Sequence, residues 1–363
     1  MKRITCLLSA LLLLLLPACR QSGGGPEESE PAPEITASAV PETPEPTPES
    51  SQAPAFYEPL TGLPSEEDAS GIRPAAVMLN NLRNALPQQG NGQADIIYEV
   101  LAEGGITRML GVYQHPEQVG LIGSVRSARQ YYWELAQGHD AVYIHAGASP
   151  EFYSTKSRLG LFTVDGVNGA YSYAGAGMFW RNRERIPGHY YDYEHSLLTS
   201  GEAITAMLEK EGKTAHTDGY RYEMSFADDG TPAGGQSAVT VTVPFSNYKS
   251  GVFRYDAATR LYAVEEYGEA YIDGNDNTQV AVTNLLVLQT ACTVVDDAGR
   301  ITVDLTSGSG WFACGGQIVP ITWKKGGADS QLRYYGADGS PLALGRGKSY
   351  VCIIPTSRSI TAE

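Results

Sequence analysis

The amino-acid sequence predicts an α+β protein, in which a mixed α/β N-terminal domain is followed by a mainly antiparallel β C-terminal domain. Helix signals, in which a capping residue precedes apolar residues at helical spacing, occur before residue 220. Beyond that residue, apolar or alternating runs of strand length are separated by turns such as Asp273-Gly274 and Asp338-Gly339. The 363 residues are long enough for two domains, which we predict over 57–219 and 220–363.

Local signals place the elements of both domains in order. The N-terminal domain begins with a buried strand over 75–79 and a hairpin with strands over 95–101 and 107–113, and a later strand spans 141–145. Three helices are predicted there, each opening at a capping residue: from Ser127 to Gly138, from Ser149 to Gly160 and from Thr199 to Gly212. The strands predicted for the C-terminal domain span 239–243, 251–255, 261–264, 280–289, 292–295, 301–305, 316–323 and 350–354.

The first nineteen residues have the layout of a bacterial signal peptide. Lys2 and Arg3 precede an apolar stretch over 4–16, which is too short to span a bilayer stably. The stretch ends in Leu16-Pro17-Ala18-Cys19, which resembles a lipobox, where the cysteine receives a diacylglyceryl group before cleavage. We therefore predict an extracytoplasmic lipoprotein that is anchored to the bacterial cell membrane by acyl chains, such as palmitate, at Cys19. The alternative is an ordinary cleaved signal with an incidental cysteine.

Residues 20–56 are predicted to form a disordered tether. The segment contains eight Pro, and seven Glu against one Arg give it a charge of −6. Such a composition offers too little apolar surface to form a core, and its charges repel one another. We expect the tether to give the folded part reach from the membrane.

Composition excludes some function classes. The 26 Lys and Arg against 41 Asp and Glu give a formal charge of −15, which argues against non-specific nucleic-acid binding. The sequence has no P-loop, GxSxG elbow or HExxH motif, and no GxGxxG after a strand. Cys292, Cys314 and Cys352 remain in the folded part, either as one disulfide with a spare thiol or as three thiols.

The strongest candidate site is the segment Gly123-Ser124-Val125-Arg126-Ser127-Ala128-Arg129, which lies between a strand and a predicted helix. Free N–H groups at a helix N-terminus, with the guanidinium groups of Arg126 and Arg129, would bind phosphate, pyrophosphate or carboxylate. Ser127 and Arg108 are assigned to the same anion site. The alternative is that the arginines form structural salt bridges with Glu99, Glu103 or Asp140.

Two further groups of residues are weaker candidates. Glu99 and Glu103 flank the hairpin turn, where they could hold a divalent cation, act in catalysis, pair with the arginines or simply be solvated. The segment 180–189 is the only basic cluster of the acidic chain and is surrounded by tyrosines that could stack on sugar rings or cap the core. The candidate residues are Arg181, Arg185 and His189 of this cluster, together with His145. The histidines could supply a cation or a general base, although a lone histidine is more often a structural residue.

These motifs resemble those of the YerB-like family of bacterial lipoproteins, which has two domains and no known function. The resemblance rests on segments 73–81, 94–108 and 123–129, and it continues through 304–308 and 323–324. Two positions depart from the family pattern. Ser124 stands where a Pro is usual, and Pro187-Gly188-His189-Tyr190 replaces a Pro-His-Asn, which puts a role for His189 in doubt.

The favoured interpretation is a binding module for an anionic ligand, such as a cell-wall glycan or a lipid phosphate. A second hypothesis is a metal-assisted phosphoryl or glycan transferase, with Glu99 or Glu103 on the cation and the arginines on a pyrophosphate. The LytR-CpsA-Psr transferases, which share no alignable sequence with this chain, likewise combine acidic residues with arginines that bind a lipid pyrophosphate. A third is a scaffold that docks a protein partner, in which the arginines are internal ion pairs.

Overall fold

A computed structural model describes residues 54–175 and 177–363, which belong to one compact unit, Ala53–Glu363. The predicted lipid attachment site at Cys19 and nearly all of the predicted tether lie outside the described residues. Among the described helices, none is both long and apolar enough to cross a membrane.

The strands are short and numerous. Those of the N-terminal part are β1 (Phe56–Tyr57), β2 (Pro64–Ser65), β3 (Ala75–Asn80), β4 (Ile96–Leu101), β5 (Thr107–Tyr113), β6 (Leu121–Gly123), β7 (Val142–His145), β8 (Val164–Asp165), β9 (Trp180–Arg181) and β10 (Leu197–Ser200). Those of the C-terminal part are β11 (Ser225–Ala227), β12 (Gln236–Ser237), β13 (Thr240–Pro244), β14 (Ser250–Asp256), β15 (Leu261–Glu266), β16 (Glu269–Ala270), β17 (Ala281–Val282), β18 (Asn284–Thr290), β19 (Cys292–Val294), β20 (Ile301–Val303), β21 (Ser307–Cys314), β22 (Gln317–Lys324), β23 (Arg333–Tyr335), β24 (Ala343–Gly345), β25 (Ser349–Pro355) and β26 (Thr361–Ala362).

The α-helices of the described residues are α1 (Gln130–Gly138), α2 (Pro150–Leu159) and α3 (Gly201–Lys210). The predicted ends of α2 are confirmed, because the Ser149 hydroxyl accepts a hydrogen bond from a first-turn N–H at 3.3 Å and Gly160 ends the helix in the left-handed region. The cap of α3 is Ser200, one residue after the predicted Thr199, which belongs to β10.

The predicted start of α1 is wrong. Ser127 does not cap the helix, which begins with Arg129 at the N-cap and without a side-chain cap. The reason is that Ala128 forms a parallel bridge with Ala148, which keeps the backbone extended beyond Ser127.

The largest sheet has eleven strands in the order β12-β22-β21-β18-β25-β4-β5-β3-β7-β8, with β23 paired to β22. The pairs β18–β25, β25–β4, β3–β7 and β7–β8 are parallel, whereas β5 is antiparallel to β3 and β4. Six strands (β3, β4, β7, β8, β18 and β25) therefore run in the same direction. The α+β class is confirmed. Because this sheet contains strands from both parts of the chain, the division at 219–220 stays a prediction.

Both faces of the large sheet are covered. A second sheet of six antiparallel strands (β16-β15-β14-β13-β26, with β17 on β15) packs on one face, where Phe253 meets Tyr350 with ring centroids 5.0 Å apart. Helices α1 and α2 cover the other face with buried side chains such as Tyr132 and Phe152. Burial of each such side chain contributes about 1.5–3 kcal/mol, so this double packing fixes the position of the strand ends.

Candidate functional site

The candidate site lies at the carboxyl edge of the parallel strands, where β3, β4, β7 and β8 all end. In open α/β sheets this edge is where ligands bind. The segment 124–129 is held there by backbone hydrogen bonds. The Arg126 N–H donates to Met78 O of β3 at 2.9 Å, and the Ala128 N–H donates to Gly147 O, just after β7, at 2.9 Å. The arginine motif is therefore fixed against two strand ends.

Arg108 and Arg129 share one carboxylate. The Arg108 Nη2 lies 3.5 Å from Glu103 Oε1, and the Arg129 Nη2 contacts the same oxygen. Arg108 also donates through Nη1 to the carbonyl of Ser127 at 3.0 Å. Both arginines are buried, with 7% of their surface exposed. These two guanidinium groups and Glu103 form an internal ion-pair cluster, which we call the Glu103 cluster.

Arg126 differs from its two neighbours because no carboxylate within the described residues lies at salt-bridge distance from it. Its guanidinium is half-buried and donates through Nη1 to the carbonyl of Glu194 at 3.1 Å, while its Nε is buried without a hydrogen-bond partner. Burial lowers the pKa of the Arg126 guanidinium, and the nearby charges of Arg108 and Arg181 lower it further, against the opposing effect of Glu194. Within the described residues, Arg126 therefore holds a positive charge that no salt bridge neutralises.

The N-terminus of α1 adds to this positive character. The helix has no side-chain cap, and Arg129 at its N-cap is a cation at the positive end of the helix dipole. The Nε atoms of Arg108 and Arg129 are also buried without partners. An anion at this point would meet both the dipole and the guanidinium groups.

Arg181 adds a further positive charge near Arg126. Its guanidinium lies over the Tyr193 ring at 3.8 Å and over the Tyr173 ring at 4.9 Å, and its Nη1 donates to the carbonyl of Tyr193 at 2.7 Å. The sequence singled out Arg181 only as part of a basic run. Its proximity to Arg126 depends on the return of the chain through β9, β10 and β6, for which no local signal exists.

Glu99 is separated from the arginines by the sheet. It lies opposite Met109 in the β4–β5 ladder, whereas Arg108 lies opposite Val100, so Glu99 and Arg108 point to different faces. The structure thus does not place Glu99 in one pocket with Glu103. No group of three or more His, Cys, Asp or Glu side chains suited to a metal ion occurs in 54–175 or 177–363.

Glu99 instead belongs to a fully buried ionic cluster. Its Oε1 lies 3.0 Å from the Nζ of Lys249, which also contacts Glu266, and the hydroxyl of Tyr350 donates to Glu99 Oε2 at 2.7 Å. Thr107 and an asparagine also donate to Glu99. The three charged side chains have no exposed surface. We call this group the Lys249 cluster. No local motif marks it, because its members are far apart in the chain.

The remaining candidates, His145, Arg185 and His189, contact other groups of the protein. His145 is fully buried, its two ring nitrogens face Gly147 O at 2.9 Å and Thr163 Oγ1 at 3.0 Å, and burial lowers its pKa to about 4. Arg185 binds three backbone carbonyls, and burial lowers its pKa to about 10. His189 lies beside Tyr191, with ring centroids 4.3 Å apart. Each of these three residues thus has a contact within the protein other than Arg181.

The structure also shows the state of the three cysteines and the salt-bridge partner of Asp140. Cys292, Cys314 and Cys352 are free thiols. Asp140 pairs with Arg73 at 3.1 Å, and not with Arg126 or Arg129.

Comparisons with known proteins agree with the resemblance seen in the motifs. Two family models match, described as the N-terminal and C-terminal domains of a protein of unknown function (DUF3048), over residues 60–214 and 241–351. A protein of Bacillus subtilis (strain 168) named "Putative lipoprotein YerB" is 32% identical over 304 residues, which cover 82% of this chain and 86% of that protein. A crystal structure of YerB from Bacillus subtilis has a TM-score of 0.71 at 28% identity and covers 84% of this chain and 99% of that chain. The predicted membership is therefore confirmed: the chain belongs to the YerB-like family of proteins of unknown function.

Proposed function

We propose that this protein is a membrane-anchored extracytoplasmic lipoprotein that binds an anionic ligand of the bacterial cell envelope through Arg126. The lipobox-like sequence around Cys19 and the name of the Bacillus subtilis relative support the anchor. A lipid at Cys19 would hold the folded part at the outer face of the membrane, within reach of cell-wall glycans and lipid phosphates.

The observation that carries the binding function is the charge of Arg126. A half-buried guanidinium with one hydrogen bond to a carbonyl and no carboxylate partner among the described residues is ready to accept an anion. It lies at the carboxyl edge of the sheet, beside Arg181 and the uncapped end of α1. Phosphate and pyrophosphate groups suit such a site because their oxygens accept several hydrogen bonds at once.

Calorimetric titration tests this function on the unlipidated chain 20–363. Sodium pyrophosphate is titrated into the parent, Arg126→Gln and Arg254→Gln. Arg254 is a control, because it is an exposed arginine of β14 that pairs with Glu265 far from the site in sequence. We expect Arg126→Gln to weaken binding by roughly 10- to 100-fold, the cost of one lost charged hydrogen-bonding group. Equal affinities of the parent and Arg126→Gln would contradict the proposal.

A second candidate function is a scaffold that docks a protein partner, and the Glu103 cluster favours it. Two of the predicted anion-binding arginines, Arg108 and Arg129, are already paired within the chain. If Arg126 were likewise only structural, no small anion would bind, and Arg126→Gln would change the free energy of unfolding alone. The same titration therefore separates the two functions.

A further inference from the structure

We propose that the ligand at Arg126 is a sugar phosphate, whose sugar ring packs on the tyrosine pair Tyr173 and Tyr193. This inference rests on the proposed function, since Arg126 would hold the phosphate. It assigns a ligand class to the site and adds three residues to it: Tyr173, Arg181 and Tyr193.

The two halves of the proposed site are joined by consecutive backbone carbonyls. Arg181 donates to the carbonyl of Tyr193 at 2.7 Å, and Arg126 donates to the carbonyl of Glu194 at 3.1 Å. Neighbouring residues are about 3.8 Å apart along the chain. Arg181, which packs on the tyrosine pair, and Arg126 are therefore held by adjacent residues of the chain.

The tyrosines are exposed to an extent that core packing does not explain. Tyr193 exposes 54% of its surface and Tyr173 exposes 41%, although both are large aromatic side chains beside a positive cluster. Arg181 packs against both rings and so fixes their orientation in the absence of a ligand. Rings that are already ordered lose little conformational entropy on binding, which favours affinity.

A sugar phosphate matches this arrangement better than a bare anion does. The apolar C–H face of a pyranose can pack on a tyrosine ring, and its hydroxyls can meet the phenol groups. Arg181, like Arg126, has no carboxylate at salt-bridge distance among the residues described, and its Nε is buried without a partner. The site thus offers a cation for the phosphate and an aromatic surface beside it.

Titration of the chain 20–363 with inorganic phosphate, glucose 1-phosphate and farnesyl phosphate tests the ligand class. We expect glucose 1-phosphate to bind the parent roughly tenfold more tightly than phosphate does. In Tyr193→Ala the affinities for glucose 1-phosphate and phosphate should become equal, whereas Tyr193→Phe should keep most of the advantage of glucose 1-phosphate. Tyr57→Ala is the matched control, because Tyr57 is also exposed (44%) and also stacked on an arginine, Arg346, at 4.0 Å.

The failures of the two proposals are distinguishable. If the parent binds phosphate and glucose 1-phosphate equally, the sugar inference is overturned and the anion site stands. If farnesyl phosphate alone gains from Tyr193, the ligand is a lipid phosphate and the sugar inference is again overturned. If none of the three binds, the sugar inference is overturned, and the pyrophosphate titration alone decides whether the anion site stands. A thermal melt of Tyr193→Ala checks that the variant is folded.

Discussion

Glu103→Gln tests whether the Glu103 cluster occupies part of an anion site. The substitution removes the one carboxylate that contacts both Arg108 and Arg129, which are each more than nine-tenths buried. Breaking a fully buried pair costs about 3–5 kcal/mol, and the Glu103 side chain is 23% exposed, so solvent screening reduces this value. We expect the free energy of unfolding to fall by about 2–3 kcal/mol. An anion that replaces the lost carboxylate should restore this stability.

Urea unfolding with and without sodium pyrophosphate measures both effects. Ligand at 100 times its dissociation constant stabilises a protein by about 2.7 kcal/mol, and we expect a larger gain in Glu103→Gln than in the parent because the affinity is higher. Glu265→Gln is the control, since the Glu265 side chain is also 23% exposed but pairs with the exposed Arg254. A destabilised Glu103→Gln protein that gains no more from pyrophosphate than the parent would refute this reasoning.

Two further predictions concern buried titratable groups. Lys249→Met leaves Glu99 and Glu266 buried together without their shared cation, so we expect urea unfolding to show that the free energy of unfolding falls by about 3–5 kcal/mol. The control Lys324→Met, at an exposed lysine, should change it little. Equal stabilities of the two variants would contradict the role of the Lys249 cluster. Burial lowers the pKa of His145 from 6.5 to about 4, so the unfolded chain binds a proton at a higher pH than the folded protein does. The free energy of unfolding therefore falls as the pH falls from 6.5 towards 4. His145→Gln should therefore lose about 2 kcal/mol less than the parent between pH 7 and pH 5 in the same assay, and parallel losses would count against this assignment.

Elements with local signals were predictable from the sequence, and long-range pairings were not. The caps of α2, at Ser149 and Gly160, depend on residues a few positions apart, and the structure confirms them. The parallel pairing of β25 with β4 joins segments about 250 residues apart, and nothing in either strand specifies its partner. Strand β21 was missed because its first half, Ser307–Gly310, is rich in glycine and serine, which rarely favour strands.

The same contrast applies to the candidate site. The spacing of Arg126 and Arg129 predicts that they are neighbours, but not which of them meets a carboxylate. That outcome depends on the turn after β4, where positive φ values at Gly104 and Gly105 reverse the chain and return Glu103 towards Arg108. Alternation along β4 could have shown that Glu99 and Arg108 face opposite sides, once the register of the hairpin was known.

Comparison of Arg126 with Arg185 shows how the candidate binding arginine differs from an arginine that contacts only groups of the protein. A guanidinium has five N–H donors, and neither residue has a carboxylate partner among the residues described. Arg185 satisfies its charge with the carbonyls of Gly123, Ala85 and Pro87 and with the Tyr191 ring at 3.9 Å. Arg126 donates to one carbonyl only, while the Nε atoms of both Arg126 and Arg185 are buried without a partner. The two residues therefore differ at their Nη groups, which contact three carbonyls in Arg185 and one in Arg126. Because a desolvated donor without a partner is costly, the Nη groups of Arg126 are the donors whose hydrogen bonds an anionic ligand would complete.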